Sequence, residues 1–185
     1  MSQKPKKISW LAVFMLTLIT IFGSGMWPAG GQAKLTNQSK LYLKNLGPVA
    51  IGMTIDQASK ASGYRLVSSG DGMSCYYVTP EKGPQDVGFM ITGGRISRID
   101  IWKESLITTA SSVKVGDTEG KVKSIYGAKI KVTPHKYVQG GHYLTFIPQD
   151  AVDRNLRLIF ETDDKRVTMF RSGKIPEVEF VEGCA

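Results

Sequence analysis

Two stretches of this chain share one pattern: residues 51–63 read IGMTIDQASKASG, and residues 115–127 read VGDTEGKVKSIYG. Each stretch has an aliphatic residue, a glycine, any residue and a threonine, and each ends on a glycine nine positions after that threonine. The two copies stand 64 positions apart. A duplicated block strongly limits the possible folds, because both copies must form the same local structure.

The pattern predicts one short helix in each copy. Thr54 and Thr118 suit the N-cap position, where a hydroxyl accepts a hydrogen bond from an unpaired backbone N–H of the first turn. Gly63 and Gly127 stand where a helix commonly ends in a left-handed conformation that glycine adopts without strain. Each helix has only about two turns, so it needs packing against another element to persist.

Each predicted helix is followed by four segments of strand-like sequence. Turn-forming residues separate these segments, and short connections indicate antiparallel hairpins. We therefore predict an α+β fold of two tandem repeats, each a short helix plus four antiparallel strands. The repeats would form one antiparallel sheet of about eight strands with the helices packed on one face. Repeat 1 would span residues 47–110 and repeat 2 residues 111–185, as one combined domain.

The first 33 residues have the features of a secretory signal peptide. Three lysines lie among the first seven residues, residues 8–22 are apolar without a charge, and small residues stand at Gly31 and Ala33. This order favours cleavage near Ala33, and the apolar run is short for a bilayer span. We expect a periplasmic or secreted protein with a flexible segment at 34–46 and no stable membrane span after processing. The alternative is an uncleaved membrane anchor.

The two cysteines, Cys75 and Cys184, both lie in the part that would be exported. In an oxidising compartment a single pair most simply forms a disulfide. Such a bond would close a loop of about 110 residues and stabilise the fold by about 4–5 kcal/mol in the chain-entropy model. The alternative is a buried pair of unlinked thiols.

The order of elements, together with the GMT and GDT helix openings, resembles the secreted β-lactamase-inhibitor protein family. A single copy is similar to the small lipoprotein subunit of the outer-membrane barrel assembly machinery. The resemblance covers roughly residues 47–184 and implies an exported binding protein. The family would be expected to carry cysteine pairs inside its repeats, whereas this chain has one cysteine in each. No inhibitory motif matches position by position, so no family residue is carried over.

The charge of the chain favours acidic partners. The net charge is +8, and removing the three N-terminal lysines lowers it to +5. Without a dense Lys/Arg run or a recognised motif, nucleic acid is not expected. A basic patch in repeat 2 could bind anionic polysaccharide or lipid, or it could be only a solvated surface. Its members are Lys121, Lys123, Lys129 and Lys131.

Alternation along the strands sorts their side chains between two faces. Leu144 and Phe160 would face the helices, and Phe170 would face outward. In RISRIDIW, placing Ile99 inward puts Arg98 and Trp102 on the outer face and leaves Ile96 out of phase, which a β-bulge would accommodate.

The outer face would then carry Trp, Tyr and Arg, which are common in binding hot spots. A second candidate is the loop of residues 79–86, which two prolines stiffen. The alternative is an ordinary solvated sheet with cross-strand aromatic pairs. The partner-binding candidates are Arg98, Trp102, Tyr143 and Arg157 on the face, with Glu81 and Asp86 in the loop.

No catalytic set can be assembled from the sequence. His135 and His142 are the only histidines, and no third metal ligand is indicated. There is no nucleophile elbow or phosphate-binding loop. We therefore predict a monomeric, non-enzymatic binding protein without a cofactor or metal. It would present an open sheet face to a protein partner as an inhibitor-like module, and the alternative is an envelope-associated module that binds anionic glycan or lipid.

Overall fold

A computed structural model describes Met1, residues 34–68, Gly70 and residues 74–184. The predicted signal peptide lies outside these residues, apart from Met1. Within these residues there are two α-helices, α1 (Ile55–Ser62) and α2 (Glu119–Tyr126). The strands before α2 are β1 (Lys40–Leu41), β2 (Asn45–Leu46), β3 (Val49–Ala50), β4 (Leu66–Ser68), β5 (Cys75–Pro80), β6 (Val87–Thr92), β7 (Arg95–Ile101) and β8 (Thr108–Thr109). Those after α2 are β9 (Ile130–Pro134), β10 (His142–Phe146), β11 (Leu156–Thr162) and β12 (Val167–Lys174). Short 3-10 turns occupy Gly127–Lys129, Ala151–Asp153 and Glu177–Glu179.

Both helices begin and end where the repeated motif predicts. The Thr54 hydroxyl accepts from the backbone N–H of Gln57 at 3.3 Å, and the Gln57 side chain accepts from the N–H of Thr54 at 2.9 Å. In α2 the Thr118 hydroxyl accepts from the N–H of Lys121 at 3.2 Å. Gly63 and Gly127 follow the last helical residues with φ values of 73° and 57°. At both positions a side chain would introduce strain.

The fold is α+β, as predicted, and its main element is an eight-stranded antiparallel sheet. The strand order is β4-β5-β6-β7-β12-β11-β10-β9. The last strand of each predicted set, β7 and β12, therefore pair with each other at the centre. Among the described residues, no helix is long and apolar enough to cross a membrane.

One apolar cluster joins both helices to one face of this sheet. Ala58 of α1 and Val122 of α2 are fully buried in it. The sheet contributes side chains that alternate along its strands, including Ile99, Leu144 and Phe160. The opposite face of the sheet is therefore not covered by the helices.

Two β-bulges change the alternation. Met90 of β6 pairs with Arg98 of β7, but the next residue, Ile91, pairs with Ile96, so Ser97 is the extra residue of a bulge in β7, as predicted near Ile96. A second bulge lies in β12 at Thr168, where the register with β11 also shifts. Phe170 consequently faces the core and is fully buried, so the prediction that it points outward is wrong. The extra residue reverses the phase of the side chains that follow it.

The segment 34–46, expected to be flexible, is instead folded. It contains β1 and β2, which belong to a small sheet with the order β3-β2-β1-β8. Leu35 and Leu41 are buried in the main core. These leucines give the segment enough apolar area to pack, which the sequence interpretation overlooked.

Candidate functional site

The centre of the sheet face opposite the helices carries a buried ion pair. Arg98 and Asp100 alternate with the core isoleucines of β7 and therefore lie on this face. The Arg98 Nε donates to both carboxylate oxygens of Asp100 at 2.9 and 3.0 Å, and its Nη2 donates to Oδ1 at 2.6 Å. Burial, and then the negative charge of Asp100, raise the pKa of Tyr77, which therefore stays protonated beside this pair.

A second buried ion pair lies beside the first. Arg171 of β12 pairs in register with Asp100 of β7. The Arg171 Nη1 donates to Oε1 of Glu161, and the other carboxylate oxygen lies 3.4 Å from Nε2 of His135. The four charged side chains at the centre of this face therefore form two ion pairs, and neither pair has a net charge.

His135 is held at both ring nitrogens. Its Nδ1 accepts from the backbone N–H groups of Tyr137 at 3.1 Å and Val138 at 3.2 Å. Its Nε2 faces Glu161, and the ring stacks on Tyr143 with 4.5 Å between centroids. This arrangement leaves no ring nitrogen for a substrate, so His135 positions the β9–β10 connection and does not resemble a catalytic base.

The C-terminal strap, residues 175–184, covers the central charges. The Arg98 Nη1 donates to the backbone carbonyl of Phe180 at 2.6 Å and to that of Glu177 at 3.2 Å. The Arg171 Nε donates to the carbonyl of Val178 at 2.7 Å, and the Val178 side chain is fully buried. Both arginines therefore bind the main chain of the strap.

The predicted disulfide between Cys75 and Cys184 is present and fixes the end of the strap to β5. The strap corrects the expectation that the whole face is open. Arg98 points to the predicted face, but only 2% of it is exposed. It is therefore unavailable for a direct partner contact while the strap is seated.

A groove of about 280 Å³, the basic groove, lies between the strap and strands β9, β10 and β11. It contains two of the predicted partner-binding residues, Tyr143 and Arg157, together with Lys131 of the predicted basic patch. Glu179 and Val181 of the strap form its other side. The strands also contribute Thr133, Thr145 and Ile159, and Ile147 follows the end of β10.

The cations at the groove have few acidic partners. Lys131 is exposed, and within the described residues no carboxylate lies within ion-pair distance of it or of Arg157. The Arg157 Nη1 donates instead to the backbone carbonyls of Arg154 at 2.8 Å and Leu156 at 2.7 Å. Among the described residues, Glu179 is the only carboxylate that lines the groove, and it forms no ion pair there. The groove therefore retains positive charge.

On the other side of the strap lies an aromatic patch, formed by Trp102, Tyr77, Gly88 and Asp86. The backbone N–H of Trp102 donates to the backbone carbonyl of Asp86 at 2.9 Å. The Trp102 and Tyr77 rings are 6.0 Å apart, and the Trp102 ring lies against Gly88. Two predicted partner-binding residues, Trp102 and Asp86, therefore lie together, separated by the strap from Tyr143 and Arg157.

Glu81 is exposed and lies at the start of the β5–β6 turn, where its N–H donates to the Arg65 carbonyl at 2.9 Å. Residues Glu81 and Asp86 thus belong to one connection. Neither lines the basic groove.

The four lysines of the predicted basic patch are divided between two surfaces. Lys121 and Lys123 belong to α2 and form ion pairs with Asp117 and Glu119, each at 2.8 Å. Lys131 lies on the other face of the sheet, at the basic groove. Lys129 is exposed in the 3-10 turn before β9.

The second histidine belongs to a separate polar cluster. His142 Nδ1 lies 2.7 Å from Oε1 of Glu119, and the Thr162 hydroxyl donates to the same oxygen at 2.6 Å. The Lys123 Nζ donates to the other carboxylate oxygen of Glu119 at 2.8 Å. Among the described residues there is no group of three or more side chains suited to hold a metal ion.

Sequence reasoning did not find the groove residues Thr133 and Ile159, or the role of the strap. The available signal was Cys184, because a bridge to Cys75 requires the C-terminal segment to cross from β12 to β5. Comparison of the chain with family models, curated proteins and solved structures finds no match.

Proposed function

We propose that this chain is an exported, non-enzymatic binding protein that contacts a protein partner through the basic groove. The observation that carries the proposal is the convergence of Tyr143, Arg157 and Lys131 in one groove on the sheet face. Aromatic and arginine side chains contribute much of the energy of protein interfaces. The groove lies on rigid strands, which holds its side chains in place.

A duplication of one helix-and-sheet unit is part of this proposal, and two equivalent sets of hydrogen bonds support it. In the first set, Gly52 N–H donates to Ile96 O at 2.7 Å, and Ile96 N–H donates to Met53 O at 2.9 Å. In the second set, Gly116 N–H donates to Val167 O, and Val167 N–H donates to Asp117 O, both at 2.8 Å.

Two arginines and two bulges extend the equivalence between the halves. Arg95 Nη1 donates to Gly52 O at 2.8 Å, and Arg166 Nη1 donates to Gly116 O at 2.7 Å. Each arginine stands just before the bulge in the last strand of its set. The inhibitor-like layout inferred from the sequence belongs to the same proposal.

Export is proposed on two grounds. The disulfide fits an oxidising compartment, such as the periplasm or the exterior of the cell. The order of charged, apolar and small residues in the first 33 positions fits a secretory signal peptide.

Site-specific photo-crosslinking in the native host tests the proposed function. A photoreactive phenylalanine analogue at Thr145, inside the groove, is expected to cross-link a partner protein. The same analogue at Ser124, an exposed position of α2, is the matched control. The adduct should disappear when Lys131 and Arg157 are both changed to Gln. Equal adducts from both positions, or an adduct that ignores the two substitutions, would refute the proposed function.

An envelope module that binds anionic glycan or lipid is the second candidate. The exposed Lys129 and Lys131 at the edge of the sheet favour it. The ion pairs of Lys121 with Asp117 and of Lys123 with Glu119 reduce the charge that α2 offers to such a polymer. In support of this candidate, the protein should sediment together with purified envelope polymer. Lys129→Gln with Lys131→Gln should abolish this sedimentation, and so should high salt.

A further inference from the structure

We infer that the basic groove binds an extended acidic peptide segment of the partner, lying beside the C-terminal strap. The inference rests on the proposed function and specifies the chemistry of the partner. The strap shows that this face accepts an acidic segment, since it reads EVEFVE from residue 177 to residue 182. It forms a 3-10 turn at Glu177–Glu179 and a second turn at residues 181–182, and it carries three glutamates among apolar side chains.

The contacts of the strap are those of a bound acidic peptide. Its backbone carbonyls accept from two arginines, as described above. The Glu182 carboxylate lies 2.9 Å from the Lys136 Nζ and also accepts from the Tyr137 hydroxyl. The Glu177 carboxylate accepts from the Thr92 hydroxyl at 2.8 Å. The seat of the strap thus combines a lysine and hydroxyl donors for two of the carboxylates with arginine donors for the main chain.

The basic groove continues the same chemistry next to the strap. Lys131 pairs in register with Thr145, and Thr145 pairs with Ile159, so this row crosses three strands. Two strand spacings, about 10 Å, separate β9 from β11. Arg157 stands two residues along β11 from this row, so it is about 12 Å from Lys131, a distance that an extended chain covers in about four residues. Carboxylates four residues apart lie on one face of an extended chain and can therefore reach both Lys131 and Arg157.

The size and the floor of the groove favour a peptide over other occupants. Its volume of about 280 Å³ is just below the range of enclosed small-molecule sites, so it suits a short flat segment. Ile147, Ile159 and Val181 supply apolar area for the side chains between the carboxylates. A second copy of this chain is disfavoured, because the part after residue 33 carries a net charge of +5, from +8 less three lysines.

A peptide-binding measurement tests the inference. The probe is a fluorescein-labelled hexapeptide with the sequence EVEFVE, and its counterpart carries Gln in place of each Glu. Fluorescence anisotropy should detect binding of the Glu peptide to the full exported chain, weakened by salt, and at least tenfold weaker binding of the Gln peptide. Equal affinity for the two peptides, or no binding of the Glu peptide at low salt, overturns the inference.

Matched variants locate the bound peptide. Changing Lys131 and Arg157 together to Gln should weaken binding about tenfold, as expected for two partly exposed charge contacts. Lys121→Gln with Lys123→Gln removes the same charge from the opposite face and should leave the affinity unchanged. Circular dichroism and thermal melting confirm that both variants fold. An equal loss in both variants would show general charge attraction and reject the groove.

A further variant tests whether the probe binds in the basic groove or displaces the strap from the surface that it covers. Changing Cys75 and Cys184 to Ser removes the tether, so the seated strap is easier to displace and a probe that competes with it should bind more tightly to this variant. Unchanged affinity supports the groove, and increased affinity overturns it in favour of the strap's seat. Tighter binding of polygalacturonate than of the Glu peptide would likewise reject a peptide occupant.

The outcomes for the inference and the proposed function are distinguishable. A cross-link at Thr145 that requires Lys131 and Arg157, without binding of the Glu peptide, retains the proposed function and rejects the acidic segment. Loss of the specific cross-link rejects the proposed function itself.

Discussion

Arg98 and Arg171 each serve two partners at once. Each guanidinium binds a carboxylate of the sheet and also donates to a backbone carbonyl of the strap. The planar fork of an arginine presents five donors, which permits both contacts without an unpaired buried charge. The two side chains therefore seat the strap through its main chain and not through its sequence.

The contact between Gly88 and Trp102 gives a prediction for a single residue. A Cβ at Gly88 would stand 2.4 Å from the Trp102 ring and 3.1 Å from Tyr77. We expect Gly88→Ala to displace the indole, shift its fluorescence and lower the free energy of unfolding by about 1–3 kcal/mol. Denaturant unfolding monitored by tryptophan emission checks this.

The matched control for this substitution is Gly120→Ala in α2. A Cβ there would meet only the Thr118 hydroxyl, at 3.8 Å, and alanine favours a helix. It should leave the emission of Trp102 unchanged and should not destabilise the protein. The indole emission of a folded Gly88→Ala protein matching that of the wild type would contradict the packing described for the aromatic patch.

The direction of Arg98 follows from the sequence, but its burial does not. Alternation from Ile99 places Arg98 opposite the core, and the bulge at Ile96 agrees with that phase. Burial depends on a segment that lies about 80 residues away in the chain, as the Arg98 bonds to Glu177 and Phe180 show. Local patterns carry no information on such a contact.

At the scale of elements, the two helices differ in how their first turns are anchored. α1 begins with a reciprocal pair of bonds between Thr54 and Gln57. In α2, Glu119 reaches the sheet, where Thr162 and His142 bind one of its carboxylate oxygens. The α2 anchor is therefore a tertiary contact, and it depends on charge.

The pKa of Glu119 makes this anchor sensitive to pH. Burial alone would raise the pKa, but hydrogen bonds from Lys123, Thr162 and His142 outweigh it and lower the pKa below its usual 4.5. The unfolded state therefore binds a proton more readily than the folded state. The stabilisation from Glu119 is present above pH 4.5 and is lost as the pH falls through the folded-state pKa.

We predict that Glu119→Gln lowers the free energy of unfolding by about 1–2 kcal/mol at pH 7, because a charged acceptor is lost. The difference from the wild type should shrink as the pH falls below 4.5. Urea unfolding at a series of pH values measures it. Asp56→Asn, the acidic position in the first turn of α1, is the control and should cost less. A difference for Glu119→Gln that stays constant with pH would exclude the charge as its source.

The elements with strong local signals were predicted, and those without them were not. The threonine caps mark both helices, and eight alternating segments correspond to the eight strands of the large sheet. The small sheet was missed because β1, β2, β3 and β8 have two residues each, too few to show a period. The bulge at Thr168 was missed because the sequence KRVTMFRSG fits either phase equally well.

At the scale of the whole molecule, two features join the halves of the chain. The first is the central pairing of β7 with β12. The second is the C-terminal strap, which follows β12 and reaches β5 through the disulfide between Cys75 and Cys184. The strap thereby divides the outer sheet face into the aromatic patch and the basic groove, so any partner that contacts both must cross it.

We predict that removing this disulfide lowers the stability of the protein but leaves the strap seated. The bond joins residues 109 positions apart, so the chain-entropy model expects Cys75→Ser with Cys184→Ser to cost about 4–5 kcal/mol in unfolding free energy. We expect the strap to stay seated, because Val178 is fully buried and the bonds from Arg98 and Arg171 do not involve the cysteines.

Denaturant unfolding gives the loss of stability, and hydrogen exchange of residues 175–184 under native conditions reports whether the strap is seated. Protection should persist in the double Ser variant. In Val178→Ala with the disulfide intact, protection should fall, because the apolar anchor of the strap is reduced. The opposite pattern, with protection lost on removal of the disulfide and kept in Val178→Ala, would make the covalent link the main anchor. The basic groove would then have only one fixed wall whenever the cysteines are reduced.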